Sequence, residues 1–135
     1  MLLMIEEIEF LKERGKEFWE RGFEDFQKGR YNLSALDFEQ SIQLWLKYSI
    51  AMRAGEFPKI HYLTELIEGV VKIYQAENLM KFYKEKLLAI RDLENTYITS
   101  RYFPKKFTKE EAEAVIGLAT SLLKLLEDDT GYRFI

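Results

Sequence analysis

One stretch of the chain, "ENTYITSRYFPKKF", gathers the residue types that hold phosphate. It places Tyr97, Arg101 and Tyr102 close together, then adds Lys105 and Lys106, with no acid between Glu94 and Glu110. A guanidinium presents a fixed fork of donors that matches phosphate or carboxylate. Tyrosine rings supply faces on which a cation or a flat ring can stack. The same arginine in the last turn of a helix also favours the negative end of the helix dipole. Two readings stay open for Arg101, Tyr97, Tyr102 and Lys105: a structured helix end, or a seat for an anionic ligand. Tyr97 and Arg101 lie four apart and share a helix face. The apolar pattern predicts that this face points inward.

Catalysis on a phosphodiester would call for an imidazole near its neutral point. The chain has one histidine, His61. The nearest preceding arginine is Arg53, and Gly55 and Pro58 between them break any shared helix face. No histidine follows Arg101. No glycine-rich phosphate loop and no nucleophile motif is present. No catalytic residue is therefore predicted. His61, before a helix, is expected to cap, pack or take part in binding. Lys47 shares a polar stripe with Gln40 and Gln43, as a solvated lysine, an ion-pair partner or a ligand contact. There is no cysteine, which excludes thiolate sites, and a lone histidine argues against zinc. "EDD" at 127–129 reads as a helix end. Neither a metal nor a cofactor is expected.

The elements that must carry these residues are helices. The chain has 135 residues, 47% hydrophobic, with 7 glycines and 2 prolines. That suits a single all-α domain spanning 1–135, not a sheet with many turns. The first helix is predicted from about Leu3 to Lys28, with Gly15 and Gly22 inside it. Each glycine costs about 1 kcal/mol against alanine, so the close approach of a neighbouring backbone, or a bend, is expected there. Gly29 ends that helix. Asn32 is expected to cap a second helix, about Leu33 to Ala54. A short third helix follows Pro58, about Tyr62 to Gln75. A fourth runs from about Leu79 to Tyr102, with Tyr83, Leu87, Ile90 and Tyr97 inward, and stops at Pro104. Thr108 and Glu111 form a capping box for the last helix. "DDTGYRFI" reads as a frayed or docked tail. The architecture predicted is an up-and-down antiparallel bundle of four main helices plus a short one.

Net charge is −3, so attraction for polyanions must be local. Residues 1–29 carry eight acids and five bases, while 95–109 carry four bases and no acid. No window approaches the about 20 apolar residues that span a bilayer, and the start lacks a basic leader. A cytoplasmic protein without membrane contact is expected. "GFEDFQKGRYNLSALDFEQSIQL" has the glycine turn and small residues of a helical-repeat unit. No second copy follows at the repeat spacing, so it predicts a lone helical hairpin.

Three stretches in order resemble the HEPN domain family, small helical bundles named for proposed nucleotide binding. "GRYNLSALDFEQSIQLWLKYSI" resembles the family's second helix through Gln40, Leu46 and Lys47. "FPKIHYLTELI" resembles its next helix start through Pro58, His61, Leu63 and Leu66. "TYITSRYFPKKFTKEEAEAVIGLA" resembles its tyrosine–arginine–tyrosine–proline segment through Tyr97, Arg101, Tyr102 and Pro104. The resemblance spans about residues 15–127. Gln43 stands where the family often has glutamate, and Phe103 is inserted before the proline.

Many members are metal-independent ribonucleases that use an arginine followed, four to six residues on, by a histidine. This chain lacks that spacing. The stripe of the last helix, widened by Leu118 and Leu125, predicts self-association as a homodimer, and the resemblance implies a nucleotide- or protein-binding module. It further implies work with a minimal nucleotidyltransferase in a toxin–antitoxin-like pair, with a nucleotide or RNA as ligand. Two alternatives are a metal-independent ribonuclease that uses His61 and a purely protein-binding scaffold.

Overall fold

A computed structural model of the chain describes residues 4–135. Seven helices form among the described residues: α1 (Ile5–Gln27), α2 (Tyr31–Ala54), α3 (Leu63–Tyr74), α4 (Glu77–Glu85), α5 (Leu87–Glu94), α6 (Thr96–Tyr102) and α7 (Lys109–Thr130). The predicted helix start at Leu3 lies outside the described residues.

The fold is an all-α bundle, and its contacts give the direction of each leg. α1 and α2 form an antiparallel hairpin. Ser34 Oγ donates to the Gly22 carbonyl, Ser41 Oγ to that of Gly15, and Trp45 Nε1 to that of Lys12. α4, α5 and α6 together run back along the bundle. Asp129 at the end of α7 holds the start of α4, while Ser100 of α6 reaches the Asn32 carbonyl at the start of α2. α7 then returns parallel to α2. α3 is the short helix beside these four legs.

α2 occupies the centre, with Phe38, Ile42, Trp45 and Leu46 all at 2% exposure or less. Neighbours surround it on almost every side, so polar residues of its sequence are buried as well: Asp37, Glu39, Gln43 and Lys47. A helix enclosed in this way shows little amphipathic pattern.

The two glycines of α1 admit side chains rather than the neighbouring backbone or the bend expected from the sequence. A β-carbon at Gly22 would stand 2.7 Å from the Phe38 ring, and Gly15 faces Trp45 in the same way. We expect Gly22→Ala to cost about 1–3 kcal/mol by overpacking. Gly117, inside α7 with nothing within 4 Å, provides the contrast. Gly117→Ala should stabilise by about 0.5–1 kcal/mol through helix propensity. Thermal unfolding of both variants checks the pair, and a stable Gly22→Ala chain would refute the close approach.

Two boundaries differ from expectation. Asn32 does not cap α2, whose N-cap is Arg30. Its side-chain amide binds the loop after Pro104 instead: Nδ2 donates to the Lys105 carbonyl and Oδ1 accepts from Phe107 N. The predicted fourth helix is jointed at Lys86, where φ is −114° and ψ 25°, and at Asn95, where ψ is −4°. Each piece is anchored to a different neighbour: α4 to α7, α5 to α3, and α6 to α2. Pro104 and the Thr108–Glu111 capping box do end and restart the chain as predicted. The tail is docked, with Phe134 stacked on Trp45 and its amide bound to Glu127.

Candidate functional site

The predicted site residues fall into two groups, and no hydrogen bond or ion pair joins them. The first sits on α6. Arg101 Nη1 donates to the Tyr97 hydroxyl at 3.0 Å. Its guanidinium lies 5.0 Å from the Tyr97 ring centre and 5.7 Å from that of Tyr102. Tyr97 is 40% exposed and Tyr102 67%, so the face they share with Arg101 looks outward. That corrects the inward placement expected for Tyr97 and Arg101. The joint at Asn95 shifts the phase, and Thr96 takes the buried position instead.

Among the described residues no carboxylate pairs with Arg101. Ile98 and Phe103 are exposed beside it. Lys105 is engaged otherwise: its ammonium meets Glu111 at 3.1 Å and lies over the Phe107 ring. The α6 group is therefore a flat, basic and aromatic platform with one unpaired guanidinium. Arginine between aromatic rings keeps its outer donors free for phosphate or carboxylate, while the rings offer stacking surface. Beside it, on the other side of α5 and α6, a cleft of about 420 Å³ opens toward α7, lined by Leu93, Thr99, Lys105, Phe107 and Val115.

The second group lies where α2 meets the segment before α3. Lys47 is 5% exposed, which corrects the solvated reading. Its ammonium faces the Phe57 ring at 5.5 Å and His61 Nδ1 at 3.4 Å. Burial pulls the Lys47 amine below its ordinary value, and the Glu39 charge acts against that. His61 Nδ1 also stands 3.1 Å from Gln43 Oε1. Gln43 Nε2 donates to Glu39 Oε1 and to the His61 carbonyl.

Glu39, only 1% exposed, is the member that the sequence did not reveal. Burial pushes its carboxyl up to about 7, against the hydrogen bonds from Gln43 and Gln40. His61 does not cap α3. Glu94 of α5 does, accepting from both the amide and the hydroxyl of Thr64. The signal for Glu39 and Glu94 was absent because acids on helices usually mark solvated faces, and only the packing of α2 makes one of them interior.

An arginine–histidine catalytic pair is not assembled from Arg53 and His61. Arg53 lies over the Tyr74 ring at 4.0 Å and donates to the Ile73 carbonyl, while His61 is held by Gln43 and Lys47. Glu127 and Asp129 spend their carboxylates on the tail and on α4. Among the described residues no group of three or more His, Asp or Glu side chains is placed to hold a metal ion. No helix is long and apolar enough to cross a membrane among them.

The family model described as HEPN domain matches residues 8–129. No curated protein and no solved structure matches the chain.

Proposed function

Because the chain belongs to the HEPN domain family, we propose that it is a binding module without nuclease chemistry, and that the α6 platform receives a nucleotide or RNA. The observation that carries this reading is Arg101, seated between Tyr97 and Tyr102 with no carboxylate among the described residues to neutralise it. A phosphate bound there would meet charge-assisted donors, and a base could stack on either exposed ring. The module acts as a homodimer and works with a minimal nucleotidyltransferase in a toxin–antitoxin-like pair. The absence of a matched arginine–histidine pair supports a binding role over a catalytic one.

Titration of the purified chain with ATP and with a short single-stranded RNA tests the reading. Wild type should bind one of them, and Arg101→Ala should weaken that binding about tenfold, the scale of a hydrogen bond to a charged group. The unfolding temperature should not change, because Arg101 is exposed. Binding that survives in Arg101→Ala would move the ligand elsewhere. Metal-free RNA cleavage that His61→Ala abolishes would restore the ribonuclease alternative. Exposed Ile98 and Phe103 beside the platform favour the protein-binding scaffold as second reading, which predicts no affinity for either probe.

A further inference from the structure

The cleft of about 420 Å³ between α5, α6 and α7 has a mixed lining. Leu93 belongs to the core, and Val115 and Leu118 pack against it, so these three give the cleft an apolar wall. Asp92, Asn95 and Thr99 add polar groups. The charges around the cleft are not equivalent. Glu111 is occupied: it accepts from Thr108 N in the cap of α7 and pairs with Lys105. That pair also takes up the Lys105 ammonium. Asp92 differs. Its backbone carbonyl accepts from Thr96 Oγ1, but among the described residues no hydrogen bond or ion pair reaches its carboxylate.

The cleft therefore offers one open carboxylate, which disfavours phosphate. The α6 platform beside it offers the opposite, one open guanidinium on Arg101. Thr99 of the cleft lies three residues before Tyr102 of the platform, and such positions are neighbours on a helix surface. From Asp92 to Arg101 the leg advances nine residues, about 14 Å of helix rise. A ligand that suits both places is anionic at one end and rich in N–H donors at the other.

An ionised carboxylate only accepts, and its two oxygens take two parallel N–H bonds. Among the Watson–Crick edges of the RNA bases, guanine alone sets two N–H donors side by side, on N1 and N2. Adenine and cytosine place a ring acceptor beside their amino group, and uracil has a single N–H between two carbonyls. Resting on the reading that the platform takes phosphate, we propose that the cleft is a guanine pocket. Asp92 receives N1–H and N2–H of the base, the apolar wall packs against its ring, and Arg101 holds the phosphates. Asp92 is exposed, so water competes for its oxygens and the discrimination between bases is moderate.

Calorimetric titration with GTP, ATP and xanthosine triphosphate tests the pocket. Wild type should bind GTP about tenfold or more tightly than ATP, the scale of hydrogen bonds to a charged group. Asp92→Asn sets a donor beside an acceptor. It should lose the preference for GTP and gain one for xanthosine triphosphate, whose base presents N1–H beside a carbonyl oxygen. Its affinity for ATP and its unfolding temperature should stay as in wild type. Arg101→Ala should weaken GTP and ATP alike. A guanosine within RNA is the other source of the same base, so an oligouridine with one guanosine is compared with an all-uridine chain. A guanosine preference that Asp92→Asn removes supports the pocket with RNA as its source, and a preference confined to GTP supports it with the free nucleotide. Equal binding of GTP and ATP by wild type overturns the guanine pocket and leaves the Arg101 platform standing, as does a GTP preference that survives in Asp92→Asn. No binding of any probe removes both.

Discussion

Trp45→Ala is expected to cost about 3–5 kcal/mol, the range for removing a large aromatic from a close-packed core. Trp45 is 0% exposed. Its ring packs on Trp19 and stacks on Phe134 with centroids 5.1 Å apart, and its Nε1 donates to the Lys12 carbonyl at 3.1 Å. It therefore ties α1, α2 and the tail after α7 at one point, and Gly15 leaves room for it. The cavity left by alanine would border three elements that cannot all move inward. Phe134→Ala removes one side of the same stack from a short tail that can shift, so a smaller loss, about 2–3 kcal/mol, is expected. Urea unfolding of both variants gives the order. A Trp45→Ala chain more stable than Phe134→Ala would show that the tail, not α2, is the anchor.

The second large effect concerns pH. Asp37 of α2 is 1% exposed. Its Oδ1 accepts from both Nε and Nη2 of Arg21, at 3.0 and 2.7 Å, and its Oδ2 has no partner. Burial pushes the carboxyl up to about 7; the neighbouring Asp25 raises it further, while Arg21 pulls it down. A proton on Oδ2 would bind Asp25 and satisfy the orphaned oxygen.

The folded value lies above the unfolded one. Stability from this group is therefore fully present below the ordinary aspartate range and is lost as pH rises through about 7. Asp37→Asn places a permanent N–H where that proton stands and keeps Oδ1 for Arg21. We expect it to match wild type below about pH 4 and to exceed it at pH 8 by about 1–3 kcal/mol, less than the full linkage value because Arg21 and solvent compensate in part. Thermal unfolding across that range checks the sign. An asparagine variant less stable than wild type at pH 8 would show that the ionised aspartate is the stabilising form. Glu39, also pushed up to about 7, leaves a slope of the same sign in the variant.

The sequence carried the local signals and missed those that depend on a neighbour. Thr108 with Glu111 and Gly55 after α2 act within a few residues of themselves, so spacing alone exposes them. Gly15 and Gly22 pointed to a close backbone or a bend, whereas what they admit are the side chains of Trp45 and Phe38. The caps of α3 and α4 come from Glu94 and Asp129, 30 and 50 residues away from the amides they receive, and no local pattern marks them. Asn32 has the residue type of a cap but serves as a clamp for the loop at Lys105 and Phe107, because that loop passes the start of α2. Arg101, Tyr97 and Tyr102 touch one another in and beside one turn of α6, but they face outward rather than inward, since the change in ψ at Asn95 turns the next face of the helix. Glu39 remained hidden because burial from all sides leaves no stripe to read.

The joints at Lys86 and Asn95 also set an order of assembly. α4, α5 and α6 have 9, 8 and 7 residues, each shorter than the about 12–15 that an isolated helix needs in water. The hairpin of α1 and α2 is long, local in its contacts and translated before the other helices of the fold, so it can form while they are still being made. The jointed leg has no such independence: its three anchors are Asp129, Thr64 and Asn32, and one of them is translated after it. The arginine platform is therefore completed late, on a nascent chain whose front half is already built, and a chain interrupted before α7 would carry the residues of the platform without the frame that aims them.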